Sequence, residues 1–134
     1  DLEIYSDDDR DASNQGTYEE FLEILKNALQ ASVRCLKPNR FACITIGDVR
    51  DPQGAYRLMP DHFKQIMLEA GCVYYNDLIL AESIGTAAMR ADRTFNSLRK
   101  VIKTHQNVLV FYKGDIKAIK NEYPRLEAEV PSES

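Results

Sequence analysis

The sequence predicts an α/β domain built in three layers, and three observations carry that expectation. Phe41 to Gly47, reading F-A-C-I-T-I-G, has almost no polar alternation, the pattern of a strand buried on both faces of a parallel sheet. Two more apolar runs follow, one from Cys72 to about Leu80 and one from Val108 to Lys113. Between them, and before the first, apolar residues recur at helical spacing. The order helix, strand, helix, strand, basic insertion, strand implies helices flanking a sheet of at least three strands.

Taken in order, Asp1 to Gly16 is polar and acid-rich, with Ser13-Asn14-Gln15-Gly16 as its clearest loop signal. Thr17 opens the first helix. Thr17-x-x-Glu20 is a capping box, and Phe21, Leu22, Leu25, Ala28, Leu29, Val33 and Leu36 then mark one apolar face. Lys37-Pro38-Asn39 stops the helix, because the residue before a proline avoids helical angles. After the first strand, Asp51-Pro52-Gln53-Gly54 reads as a proline-initiated turn. Pro60 suits the first position of a helix running to Ala70, Asp61 adds charge where the dipole favours it, and Gly71 gives a left-handed exit. Residues 84–104 form a basic connection, part helical by expectation. Ala118 to Ser134 is a charged tail with Pro124 and Pro131, expected to fray at its end.

A chain of 134 residues makes a single domain large enough for one core. Apolar residues make up 44% and charged residues 28%, values of a soluble globular protein. No apolar run approaches the roughly 20 residues that span a bilayer, and the acidic N-terminus is unlike a secretory signal. Cys35, Cys43 and Cys72 are odd in number, sit in apolar stretches and lack C-x-x-C spacing. They read as reduced core residues of a cytoplasmic protein, with neither a disulfide framework nor a metal site indicated.

The net charge of −4 hides an asymmetry. From Asp1 to Gln30 nine acids face two bases, whereas from Ile84 to Lys120 eight bases face only Asp92 and Asp115. A basic stretch within an acidic protein points to a local anionic partner, since a polyanion responds to the nearby field and not to the overall charge. A solvated surface face is the ordinary alternative for such a cluster.

Thr17 to Gly114 resembles the C-terminal half of the catalytic domain of amino-methylating DNA methyltransferases, the enzymes that modify adenine N6 or cytosine N4. The resemblance rests on C-L-K-P-N-R at 35–40, G-D-V-R-D at 47–51, M-P-D-H-F-K-Q-I-M-L-E-A-G at 59–71 and R-K-V-I-K-T-H-Q-N-V-L-V-F-Y-K-G-D at 99–115. It implies part of a Rossmann-like methyltransferase fold in which the last strand, Val108 to Lys113, lies antiparallel between Phe41 to Gly47 and Cys72 to Leu80. It also implies S-adenosylmethionine as methyl donor and double-stranded DNA as partner, with the target base flipped out of the stack.

In such enzymes a D-P-P-Y tetrapeptide holds the amine and an F-x-G-x-G motif approaches the cofactor. Neither occurs in these residues; Asp51-Pro52-Gln53-Gly54 lacks the second proline and the aromatic. The expectation is therefore a piece of a larger catalytic domain, bacterial or phage-like and inactive alone. Within it, 1–16 would be an acidic loop, 84–104 a basic insertion and 118–134 a charged tail. Tyr5, Asp48 and Arg50 would line the cleft, with surface packing as the alternative for Tyr5 and a capping or pairing role as the alternative for Asp48. Arg90, Arg93, Arg99, Lys100 and Lys103 would contact DNA phosphates. His105 would anchor the loop before the last strand, His62 would lie at the surface, and one of Tyr74 and Tyr75 would face the core. Phe95 is either a loop anchor or a wedge against DNA.

The free edge of Phe41 to Gly47 invites self-association. Two readings from other classes stand beside the enzyme: a non-catalytic nucleic-acid-binding α/β module, and a protein-interaction domain that uses its acidic N-terminal segment.

Overall fold

A computed structural model of the chain describes residues 16–127. Helix α1 spans Tyr18–Cys35, strand β1 Arg40–Ile46, helix α2 Met59–Glu69, strand β2 Val73–Ala81, helix α3 Ala87–Leu98 and strand β3 His105–Lys113. A 3-10 turn, Ile116–Ala118, and the short helix α4, Ile119–Glu122, follow.

The three strands form one sheet in the order β1-β3-β2. β3 is antiparallel to both neighbours, so β1 and β2 run the same way with β3 reversed between them. This is the strand order that the resemblance implies. Phe111 is opposite Ala42 on one side and Tyr74 on the other; Leu109 is opposite Ile44 and Asp77. A bulge at Tyr74–Asn76 shifts the β2 register, and the two tyrosines diverge. The Tyr74 ring packs 5.3 Å from Phe111 on the core face, and Tyr75 turns toward Phe41 on the other.

The core lies between this sheet and the two long helices. Val33 of α1, Met59, Phe63 and Met67 of α2, Ile46, Cys72, Leu109 and Phe111 form one buried cluster. Each large apolar side chain removed from water contributes about 1.5–3 kcal/mol, so the central strand dominates the packing. Leu109, Phe111 and Tyr112 are almost wholly buried.

Local chemistry fixes the helix ends. The Glu20 N–H donates to Thr17 Oγ1 at 3.1 Å, and Glu19 and Glu20 occupy the first turn, where the dipole favours acids. At the other end of α1, Leu36 leaves the helical region and the chain turns through Asn39, whose N–H donates to Lys113 O. Gly71, at φ 96°, provides the left-handed exit from α2 that a side chain would disfavour.

Two expectations need correcting, the burial of β1 and the placement of two cysteines. β1 is not buried on both faces: among the described residues it is an edge strand, and of its residues only Ile46 is fully buried. The strand that meets that description is β3, flanked on both sides. Among the described residues α1 and α2 share one face of the sheet. On the opposite face Phe41, Tyr112 and Tyr123 cluster at one end, with rings 4.8 and 5.2 Å from Phe41, while Leu78 and Leu80 remain exposed. Cys43 lies on this open face and Cys35 on the outer side of α1, so both are exposed; only Cys72 is in the core. The start of the C-terminal tail is docked, the Tyr123 hydroxyl donating to Asn39 O at 2.9 Å; the tail's end, where fraying is expected, lies outside the described residues.

Candidate functional site at the carboxyl ends of β1 and β2

Parallel strands leave their loops at one end of the sheet, and β3 begins there too. A cleft of about 640 Å³ opens at this end. Its walls are the loop after β1 (Asp48, Arg50, Tyr56), the first turn of α2 (Pro60, Asp61, Lys64), the segment 99–104 that follows α3, and the start of β3 at His105 and Asn107.

Asp48 lines the cleft and ties the loop to α2. Its Oδ1 accepts from the N–H of Val49 at 2.9 Å and of Met59 at 3.1 Å, capping the first turn of α2. That cap is needed because Leu58, immediately before the helix, is held at φ 62°, a left-handed conformation unfavourable for a side chain of its size. The loop is further tied by the Arg57 N–H, which donates to Val49 O.

Arg50 does not pair with Asp48. Its Nη1 donates to Gly54 O at 2.9 Å, and the guanidinium lies 4.0 Å over the Tyr56 ring. An isolated antiparallel bridge joins Arg50 to Tyr56 across the turn Asp51-Pro52-Gln53-Gly54. Within that turn Asp51 N–H donates to Ala55 O, and Ala55 N–H to Asp51 Oδ1. The D-P-Q-G segment is thus a tight turn, as expected of a proline-initiated stretch.

The basic insertion divides. Arg99, Lys100 and Lys103 line the cleft; Arg90 and Arg93 lie exposed on α3, away from it. Arg99 adopts φ 57° at the end of α3 and turns the chain back toward β1. Its Nη1 also donates to Phe95 O and Asn96 O, so the residue closes the helix as well as facing the cleft. Phe95 rests under that guanidinium, 5.6 Å away. Lys100 Nζ approaches Gly54, where an added Cβ would lie 3.3 Å from it. Tyr5 lies outside the described residues.

Sequence reasoning missed Tyr56, Lys64 and Asp61 as lining residues. For Tyr56 a signal existed: R-D-P-Q-G-A-Y places an arginine and an aromatic at matching positions either side of a turn. His62, expected at the surface, is half-buried instead, its Nδ1 2.8 Å from the Tyr18 hydroxyl. The Arg57 guanidinium covers the Tyr18 ring at 4.9 Å. Burial, reinforced by Asp48 and opposed by Arg57, pushes the Tyr18 phenol up to about 12.

The charge balance of the cleft decides what it can hold. Arg50, Lys64, Arg99, Lys100 and Lys103 converge on it; its acids are Asp48, engaged as a cap, and Asp61, 3.6 Å from Lys64. Among the described residues Arg50, Arg99, Lys100 and Lys103 have no ion-pair partner. Such a set fits an oxyanion. Of S-adenosylmethionine it suits only the methionine carboxylate, since the sulfonium and ammonium are cationic and the ribose diol calls for an uncommitted carboxylate.

Comparison with known proteins agrees on the family. The family model described as DNA methylase, covering the N6- and N4-methylating enzymes, matches residues 4–133. Two crystal structures of a candidate DNA modification methylase from Thermus thermophilus, one of them a selenomethionine derivative, are similar in fold. Their TM-scores are 0.57 and 0.56 at 20% identity, over 82% of this chain and 45% and 44% of theirs. At that identity the likeness speaks for the fold alone, and the chain spans less than half of their length. No curated protein matches.

Proposed function

The chain belongs to the N6/N4 DNA methylase family, and from that premise we propose that it contributes the DNA-facing wall of an enzyme that methylates an exocyclic amine of adenine or cytosine in duplex DNA. The observation that carries this reading is the convergence of Arg99, Lys100 and Lys103 with Arg50 at the carboxyl ends of β1 and β2. In open α/β sheets that end is where ligands bind.

In this reading the described residues bind and orient and do not carry the transfer. The cationic wall would neutralise backbone phosphates and set the register of the duplex, leaving base recognition to other residues. Asp48 would keep α2 and the loop after β1 in place beneath it. S-adenosylmethionine, as the donor of the family's reaction, supplies the methyl group. Its binding belongs to parts of the fold carrying the D-P-P-Y and F-x-G-x-G motifs, neither of which occurs in these residues. The chain alone is then inactive, and Arg90 and Arg93 on α3 reach only DNA that extends past the cleft.

The test is methyl transfer from labelled S-adenosylmethionine to duplex DNA by the complete protein. Reversing Arg99, Lys100 and Lys103 to glutamate should raise the KM for DNA by one to two orders of magnitude, in line with losing several phosphate contacts. The same change at Arg90 and Arg93 should cost less. An unchanged KM in the triple variant would exclude the cleft as the DNA wall.

A further inference from the structure

Tyr56 is 40% exposed, too open to be a core residue, yet two cations address its ring. The Arg50 guanidinium lies 4.0 Å from its centroid and the Lys103 ammonium 5.9 Å. Lys100 reaches the same turn at Gly54. We propose that Arg50, Tyr56 and Lys103 form a clamp for one phosphodiester group. The inference rests on the DNA reading above and names the place where the cleft grips the strand.

Three features point to an anion between these groups. First, like charges gathered at one ring repel one another, and the ring's negative face offsets that only in part. A phosphate between them would complete the balance. Second, only Nη1 of Arg50 is engaged among the described residues, by Gly54 O at 2.9 Å. A guanidinium held over an aromatic ring keeps its remaining N–H donors available at its edge, and such a fork can take a phosphate in bidentate fashion.

Third, the site is organised before any ligand arrives. The Arg50–Tyr56 bridge and the paired contacts between Asp51 and Ala55 fix the turn, and Gly54 at φ 96° admits Lys100 where a side chain would crowd it. Preorganised donors lose less freedom on binding. With Arg50 over its face, the Tyr56 ring serves to hold the cations and not to stack a base. Tyr56 is thus a positioning residue.

The experiment measures binding of a labelled DNA duplex by the full protein over a salt series, for the native chain and for Arg50→Gln, Lys103→Gln, Tyr56→Ala and Tyr56→Phe. The native protein should bind with a steep salt dependence. Arg50→Gln and Lys103→Gln should each make the slope of log K against log salt shallower, by up to about 0.9, the value of the one phosphate they share. Tyr56→Ala should weaken binding roughly 5-fold and lower the slope, whereas Tyr56→Phe, which keeps the ring face, should match the native protein.

If the native protein binds while Arg50→Gln and Tyr56→Ala keep its affinity and slope, the clamp is wrong and the DNA reading survives. If the native protein does not bind duplex, both fall. Thermal unfolding of each variant guards against misfolding, and the two glutamine variants decide the matter should Tyr56→Ala not fold.

Discussion

Lys113 Nζ lies 2.6 Å from the carbonyl oxygen of Val33, and 2.6 Å from that of Leu36 as well. One ammonium at the end of the central strand therefore closes the last turn of a helix some 80 residues earlier in the chain. The carbonyls at a helix C-terminus have no partner within the helix, and a cation there also meets the negative end of the dipole. The contact fastens α1 to the sheet.

Lys113→Met should keep the aliphatic stem and lose the donors. The expected cost is about 1–3 kcal/mol, since two half-buried carbonyls lose a charged partner. Urea unfolding followed by circular dichroism would show it as a lower midpoint at unchanged slope. A midpoint equal to that of the native protein would mean that water replaces the ammonium without loss.

Asp48 separates a cap from a catalytic acid. Asp48→Asn retains the Oδ1 acceptor for Val49 and Met59, so it should lose well under 1 kcal/mol and leave methyl transfer by the complete protein largely intact. Asp48→Ala removes the acceptor and should cost about 1–2 kcal/mol, because the left-handed Leu58 is then unsupported. Loss of activity in Asp48→Asn with native stability would instead make Asp48 part of the chemistry.

Much of the architecture was legible in the sequence. The Thr17 cap, the proline at the start of α2, the Gly71 exit and the three apolar runs each produced the element they signalled. The burial of β1 was misread because F-A-C-I-T-I-G records only that both faces tolerate apolar groups, and not which partners cover them. The exposure of Cys35 and Cys43 has the same origin. The site was legible in part: Arg99, Lys100 and Lys103 meet at the cleft because Arg99 turns the chain back. No periodicity reveals such a turn. Arg90 and Arg93 fall elsewhere for the same reason. Tyr56 escaped notice because its partners lie six residues before it and 47 after it.

Two tyrosines at the other end of the sheet should respond in opposite ways. The Tyr112 hydroxyl is buried without a hydrogen-bond partner among the described groups, while that of Tyr123 donates to Asn39 O. Tyr112→Phe should match or exceed the native melting temperature, since it removes a buried unpaired group. Tyr123→Phe should melt lower, by a few degrees. A clear loss of stability in Tyr112→Phe would show that its hydroxyl has a partner in solution.

Alkaline pH should loosen the contact between α1 and α2. The Tyr18 phenol is raised from 10.0 to about 12 in the folded chain, first by burial and then by Asp48. The folded state therefore holds this proton more tightly than the unfolded state. The stability it contributes is complete below pH 10 and is lost as pH rises through about 12. Tyr18→Phe should remove this part of the alkaline decline, read as the difference between the two unfolding curves across that window. Identical declines in the two proteins would place the titration elsewhere.

The most direct test of the DNA-facing cleft is duplex affinity against salt concentration, for the native protein and for the combined variant Arg99→Gln, Lys100→Gln, Lys103→Gln. A steep native dependence is expected, with a slope shallower by about 2–3 in the variant, the sum of three phosphate contacts at about 0.9 each. A variant with the native slope would contradict it, and the convergence of these side chains at the carboxyl ends of β1 and β2 would then be a solvated surface.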